Sequence, residues 1–338
     1  MAKILKVGVV GVGHLGTHHA RNYRELAGIE LVGVADRDRE RARRVAAELG
    51  CREFEDPRAL AREVDALSVA VPAAAHAEAA IPALELGVAV LCEKPMARSR
   101  VEAERMLEAA RKTGAPLMIG HLERWNGAFR RVLPRISHPR FIESHRLSSF
   151  VGRGIDVDVI FDLMIHDLDL LSALTSAPVV KIMAVGVPVL TTSADIANVR
   201  LELEDGLVAN LTASRVSREK MRKFRIFQPD AYLAIDFAAR QAEVIVRRPG
   251  VPPLSSQTAA SPESLPAILA GLEHQTIDAT GDPDPLAAEL GAFVDAIRSG
   301  RAPEPGGEAG LKAVGLAEDI VQEMSAAMAR SVLTPGAS

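Results

Sequence analysis

The sequence predicts two joined folds. Residues 1–120 read as an α/β unit with a doubly wound parallel Rossmann-type sheet, and residues 121–338 as an α+β unit built on an open, mostly antiparallel sheet. Three observations predict them. A glycine turn, Gly11-Val-Gly13-His-Leu-Gly16, follows a short apolar run directly. Apolar runs then alternate with amphipathic ones, and Gly50, Gly87 and Gly114 stand where helices should end; this is the order of a parallel sheet with right-handed crossovers. Beyond Gly120 strand patterns dominate, and Asp205-Gly206 between two of them marks a hairpin.

Taken in order, the first unit has strands at Lys6–Val10, Glu30–Ala35, Ala66–Val71, Ala89–Cys92 and Leu117–Ile119. Helices are expected at Leu15–Leu26, Arg39–Glu48, Pro57–Arg62, His76–Leu86 and Arg100–Thr113. In the second unit, 141–150, 179–190, 195–215 and 222–247 read as strands, with one helix at roughly Val157–Leu174. Residues 250–283, rich in Pro, Ser and Gly, read as loop with a short helix. Two amphipathic helices, Pro285–Arg298 and Glu308–Met328, close the chain.

Composition narrows the function classes. A net charge of −4 argues against a general attraction to nucleic acid. Cys51 and Cys92 have no metal-type spacing, and His14 and His18, four apart, find no third ligand, so no metal is expected. A strand begins within a few residues of Met1, leaving no room for a signal peptide, and no apolar run is long enough to cross a membrane. A cytoplasmic chain with free thiols is therefore expected.

The glycine turn is the strongest chemical signal. Gly11 permits the tight turn, Gly13 lets backbone approach a pyrophosphate, and Gly16 lets helix and strand pack closely. The helix beginning at His14 and Leu15 then offers free N–H groups to an anion. Asp36 ends the second strand, twenty residues after Gly16. A carboxylate there binds the hydroxyls of an adenosine ribose and repels a 2′-phosphate, which favours NAD over NADP. Arg37 can stack on adenine or meet a 2′-phosphate. The sheet edge that holds a ligand also collects Pro72, His76 and Glu93-Lys94-Pro95.

Three groups of residues carry chemistry. Lys94 lies at the sheet edge where a nicotinamide would lie, and a partly desolvated lysine beside a cationic ring exchanges protons near neutrality; the other reading is a surface lysine paired with Glu93. Asp162 and His166 share one face of a very apolar helix, and Asp169 continues it. That pair is either a general base with its orienting carboxylate or a satisfied buried pair joining the two domains. His121, Glu123, Arg124, Trp125 and Asn126 gather polar groups where a substrate cleft would open; the other reading is an interdomain linker.

These pieces, in this order, resemble the Gfo/Idh/MocA oxidoreductase family over nearly the whole chain. The resemblance rests on the glycine turn, Val71-Pro72 with His76, Glu93-Lys94-Pro95, Gly120-His121 with Arg124 and Asn126, and Asp162 with His166. It implies a sugar or cyclitol dehydrogenase using a nicotinamide cofactor, with Lys94 and His166 as acid/base residues and Asp162 in support. It also implies a homo-oligomer formed through the open sheet. A narrower resemblance rests on His121–Asn126, Gly154–Asp169 and Phe227–Tyr232. It points to the UDP-N-acetylglucosamine 3-dehydrogenase branch, whose 3-oxo product is passed to an aminotransferase for the 2,3-diamino sugar of amide-linked lipid A. In that reading Arg124, Asn126 and Arg153 meet the UDP-sugar. The alternatives are a dehydrogenase of a free sugar or cyclitol, and a non-catalytic NAD-binding regulatory protein.

Overall fold

A six-stranded parallel sheet in the order β3-β2-β1-β4-β5-β6 forms the centre of one of two compact units in the computed structural model. The model describes residues 4–150, 157–251 and 269–332, with side chains to 327. The strands are β1 (Leu5–Val10), β2 (Ile29–Ala35), β3 (Arg52–Phe54), β4 (Ala66–Val69), β5 (Ala89–Glu93) and β6 (Leu117–Gly120). Between them run α1 (His14–Glu25), α2 (Arg39–Leu49), α3 (Pro57–Ala61), α4 (His76–Glu85) and α5 (Arg100–Thr113). The doubly wound sheet is as expected, with β3 as an additional edge strand too short to show a pattern. Its strands are buried on both faces, as β4 and β5 show throughout, which is why they read as unbroken apolar runs.

Local chemistry sets the helix ends. Asp38, Asp56 and Ser99 accept from the first-turn N–H groups of α2, α3 and α5. Gly50 and Gly114 close α2 and α5 in the left-handed conformation. Helices α1 and α4 have no side-chain cap, and of the two only α1, with Gly13 at its N-cap, carries no acid in its first turn. That helix end keeps its positive pole open.

This unit spans Met1–Trp125, Ile160–Ala173 and Pro283–Gln322. It thus takes in chain expected to lie beyond a boundary at 120, because apolar faces from distant segments complete its core. Leu286, Leu290, Phe293 and Val294 pack with Tyr23, Val34, Leu91 and Met118. The helix that carries the first four is α8 (Pro285–Ser299), and α9 (Gly307–Val332) follows it. The single helix expected at 157–174 is instead a π turn, Ile160–Met164, leading into α7 (Ile165–Leu174).

The second unit spans Asn126–Val159, Leu174–Asp282 and Glu323–Ser338. It holds α6 (Gly127–Val132) and an eight-stranded sheet: β7 (Phe141–Leu147), β8 (Val179–Val187), β9 (Ile196–Leu203), β10 (Val208–Ser214), β11 (Met221–Gln228), β12 (Ala231–Asp236), β13 (Gln241–Arg247) and β14 (Leu272–Asp278). The order is β14-β13-β12-β11-β7-β10-β9-β8, and only β7 and β10 pair in parallel. Strict alternation is clearest in β9, where Ala197, Val199, Leu201 and Leu203 are buried. The Asp205-Gly206 hairpin forms: Gly206 takes a φ of 81° and donates to the Leu203 carbonyl at 2.9 Å. β14 corrects the expectation of loop across 250–283. It pairs antiparallel with β13 through all seven of its residues, yet five of them are exposed, so it lacks the apolar alternation that marks a strand.

Candidate active site

The glycine turn is forced by contact. A Cβ on Gly16 would stand 1.7 Å from the Gly11 carbonyl oxygen, and one on Gly11 would meet the Ala70 backbone at 2.7 Å. Gly13 differs, because a Cβ there would meet only an Arg41 nitrogen at 3.9 Å. The space over Gly13 is therefore open, as backbone approach to a ligand requires. Beside it lies a cavity of about 890 Å³ walled by Gly11, Gly13, Asp36, Arg37, Arg41 and Pro72, among others. It sits outside the carboxyl ends of β1, β2 and β4, where the sheet order reverses between β1 and β4.

Asp36 is oriented by its surroundings. Its Oδ2 accepts from the Val12 N–H at 2.8 Å and its Oδ1 from the Asp38 N–H at 2.8 Å. An ionised carboxylate has about four acceptor positions, so room is left for two ribose hydroxyls. Arg41, which the sequence reading passed over, lies 3.5 Å from Asp36. Arg37 turns to the exposed Glu78 at 3.0 Å. The capless α1 end, the open Gly13 and the unsaturated Asp36 together fit a dinucleotide. Gly11, Gly13, Val12, Asp36 and the start of α1 at His14 and Leu15 would hold it.

His76 and Glu93 do not line this cavity. His76 is buried, with Nδ1 2.7 Å from the Pro95 carbonyl oxygen and Nε2 2.9 Å from that of Val71. It staples the Val71-Pro72 loop to the Glu93-Lys94-Pro95 turn. Burial holds its pKa below the usual histidine value. Glu93 is buried and turns its carboxylate inward, 2.9 Å from His19 Nε2.

Lys94 points elsewhere. Its ammonium donates to the main-chain oxygen of Asp162 at 2.6 Å, and the Asp162 carboxylate lies 3.9 Å away. The π turn accounts for this oxygen's position, since wider winding takes carbonyls out of the regular helical ladder. His166 follows in the first turn of α7 and is half-buried. Lys94, Asp162 and His166 thus fall in one unit, although 72 residues of sequence separate the first from the last. The expectation of a regular helix face shared by Asp162, His166 and Asp169 needs correction. Asp162 sits in the π turn, and Asp169 is buried.

The segment after β6 is structural in its visible contacts. Arg124 donates Nε to Asp169 Oδ2 and Nη2 to Asp169 Oδ1, both at 2.7 Å. His121 Nε2 lies 3.7 Å from the same carboxylate, and burial lowers its pKa. Glu123 is buried, and Trp125 packs against the core with α8. Asn126 caps α6 through the Ala128 N–H at 3.1 Å and donates to the Phe237 carbonyl at 3.1 Å. Asp169 and Asn126 are therefore spent on scaffold contacts, and Arg124, 19% exposed, keeps only an edge for a ligand. Arg153 lies outside the described residues.

His14 and His18 stack edge-on at 5.0 Å on the outer side of α1. Among the described residues no group of His, Cys, Asp and Glu could hold a metal. Nor is any helix there long and apolar enough to cross a membrane. His19 is not among the candidates the sequence suggests, although His19 and Tyr23 are four apart on the buried face of α1. A polar residue on that inward face was the available signal.

Comparison with known proteins bears on the family and the fold. Residues 5–121 match the model of an oxidoreductase family with an NAD-binding Rossmann fold, and residues 118–233 match the GFO/IDH/MocA C-terminal domain. The chain is 39% identical to UDP-N-acetylglucosamine 3-dehydrogenase of Acidithiobacillus ferrooxidans, over 94% of this chain and 96% of that one. A solved structure of that enzyme superposes with a TM-score of 0.85 at 38% identity, covering 95% and 98% of the two chains. Inositol 2-dehydrogenase of Pseudomonas fluorescens is 29% identical over 94% of each chain.

Proposed function

The chain belongs to the GFO/IDH/MocA family of oxidoreductases, and from that premise we propose that it oxidises the C3 hydroxyl of UDP-N-acetylglucosamine with NAD. The observation that carries the chemistry is Lys94 anchored at 2.6 Å on the Asp162 turn, with His166 one turn further along. Likeness along the full length to the Acidithiobacillus enzyme supports the substrate. NAD, when bound, supplies the acceptor for the hydride that leaves C3.

In this reading the 3-hydroxyl lies between His166 and Lys94. His166 takes the hydroxyl proton as the C3–H bond breaks. The Lys94 ammonium donates to the oxygen on which negative charge grows, and a donor already held in place costs no reorganisation at that moment. Asp162 steadies both partners, Lys94 through its carbonyl and the imidazole through its carboxylate. Asp36 selects the unphosphorylated ribose. The 3-oxo sugar then goes to an aminotransferase that makes the 2,3-diamino sugar of amide-linked lipid A. A homo-oligomer in the cytoplasm completes the reading. Its interface is supported by Met183, Val185 and Val187, exposed in a row on the edge strand β8.

The test follows reduced-nicotinamide absorbance with UDP-N-acetylglucosamine, free N-acetylglucosamine and myo-inositol, each with NAD and with NADP. The expected result is reduction of NAD by the UDP-sugar alone, increased by a 3-aminotransferase with glutamate. Mass spectrometry should find a sugar product lighter by two hydrogens. Lys94→Met and His166→Gln should each lower kcat by about 10²–10⁴-fold and leave NADH affinity within about twofold. Reduction by myo-inositol alone would reassign the substrate to a free cyclitol, and wild-type turnover in both variants would remove the mechanism.

A further inference from the structure

Helix α1 turns Gly16, His19, Ala20 and Tyr23 inward. A connected polar chain starts from this face, inside the core. Tyr23 Oη lies 2.8 Å from Ser68 Oγ, Ser68 Oγ 3.2 Å from His19 Nδ1, and His19 Nε2 2.9 Å from Glu93 Oε1. The other carboxylate oxygen, Oε2, accepts from the Lys94 main-chain N–H at 3.3 Å. Gly120 makes room for this carboxylate, since a Cβ there would stand 3.0 Å from it. The chain therefore runs from the dinucleotide helix to the peptide of Lys94, whose ammonium is fixed at its far end on Asp162.

We propose that His19 is a positioning residue for Lys94: it holds the buried Glu93 carboxylate ionised beneath the Lys94 peptide, and that anion keeps the lysine charged and aimed. The inference rests on Lys94 acting in the proposed oxidation. A carboxylate in this place has no water to solvate it, so its charge depends on its neighbours. Those facing it are His19 and Tyr23 from α1, His76 from α4, His121 beyond β6 and Glu289 from α8, with Cys92 on its own strand and Lys94 next to it in the turn that follows. Burial opposes ionisation of Glu93, and His19, ahead of Lys94 and His76, reverses the balance and holds the group below the usual carboxylate value. Burial also keeps His76 and His121 low, so they contribute little positive charge. It pushes Glu289 and Cys92 well up, so neither adds a second anion. Among the groups facing Glu93 no second anion is added, so one carboxylate joined to one imidazole lies at the base of the acid/base lysine, whose ammonium also has the Asp162 carboxylate 3.9 Å away. A merely structural pair would need only to be satisfied; this one also sets the field at Lys94.

The test measures Lys94 directly and needs no substrate. The rate of its acetylation by acetic anhydride is followed against pH by peptide mass spectrometry in wild type, His19→Leu, His19→Gln and Glu93→Gln. Loss of the anion should move the Lys94 labelling midpoint to lower pH, by about one unit in His19→Leu and in Glu93→Gln. His19→Gln, which keeps a donor, should shift it less. The double variant His19→Leu/Glu93→Gln should shift it no further than either single one. In turnover, His19→Leu should lose about tenfold or more in kcat, its pH profile should move with the labelling curve, and NADH affinity should stay within about twofold. If His19→Leu does not fold, His19→Gln and Glu93→Gln carry the same comparison. Labelling curves that coincide with wild type while the melting temperature falls would overturn the proposal. Absent turnover in wild type with an intact labelling shift would instead count against the proposed substrate.

Discussion

Replacing Arg124 with methionine separates a scaffold role from a substrate role. Arg124 makes two 2.7 Å bonds to Asp169, whose side chain is 1% exposed. Removing the cation leaves a buried carboxylate with His121 3.7 Å away and Glu289 as a further titratable neighbour. At an effective dielectric constant of about 20, charges about 4 Å apart interact by about 4 kcal/mol. Breaking a buried pair costs about 3–5 kcal/mol, because the remaining charge loses its compensation. We expect Arg124→Met to lower the unfolding free energy by that amount at about pH 8.

His121 sets the sign of the pH dependence. In the wild type, burial lowers its pKa, the Arg124 cation lowers it further and Asp169 raises it. Without Arg124 one of the causes that lower it is gone, so His121 takes up a proton more readily in the folded variant than in the folded wild type. A histidine lowered on folding costs stability as pH falls through its unfolded value, and costs less the less it is lowered. The deficit of Arg124→Met should therefore shrink at about pH 5.5, below the unfolded histidine value. Equilibrium urea unfolding at both pH values reads it, with Arg124→Met/Asp169→Leu as the charge-free control. That double variant should return to within about 1 kcal/mol of wild type. A loss under about 1 kcal/mol for Arg124→Met at about pH 8, or a double variant worse than the single one, would refute the reasoning.

Three further outcomes follow. Gly16→Ala, whose Cβ would stand 1.7 Å from the Gly11 oxygen, should open the glycine turn and weaken NADH binding by about tenfold or more, read by fluorescence titration. Asp36→Ser should weaken NAD by about tenfold and narrow its preference over NADP, since Arg41 stands 3.5 Å from the lost carboxylate; unchanged selectivity in paired titrations would remove Asp36 from this role. Glu289 is fully buried, and neither carboxyl oxygen has a hydrogen-bond partner among the described residues. Its raised pKa means that its contribution to stability holds at low pH and is lost as pH rises through the folded value. Glu289→Leu should accordingly be more stable than wild type under alkaline conditions, by about 1–3 kcal/mol, and a stability difference independent of pH would contradict this.

The first unit was legible because its signals are local. Gly11, Gly13, Gly16 and Asp36 act through main-chain geometry within one βαβ stretch, and the glycines after α2 and α5 mark real helix ends. β14 was not legible: most of its residues are exposed, so its hydrogen bonds to β13 leave no period of two in the residue pattern. Inward polar residues were misjudged in both directions. Asp169 and Asn126 looked available to a ligand and are bonded within the scaffold, whereas His19 and Glu289 attracted no attention and are fully buried.

The chain alone establishes most of the elements and the dinucleotide turn, because propensity, capping and glycine sterics depend on neighbours a few residues away. Folding in space decides the partner of each side chain. Lys94 reaches the Asp162 oxygen across 68 positions and Glu93 reaches His19 across 74. The π turn that presents that oxygen departs from the regular helix that residue periodicity predicts. Partnership and charge state in a low-dielectric core depend on which groups packing brings within a few ångströms, and spacing along the chain does not encode that distance.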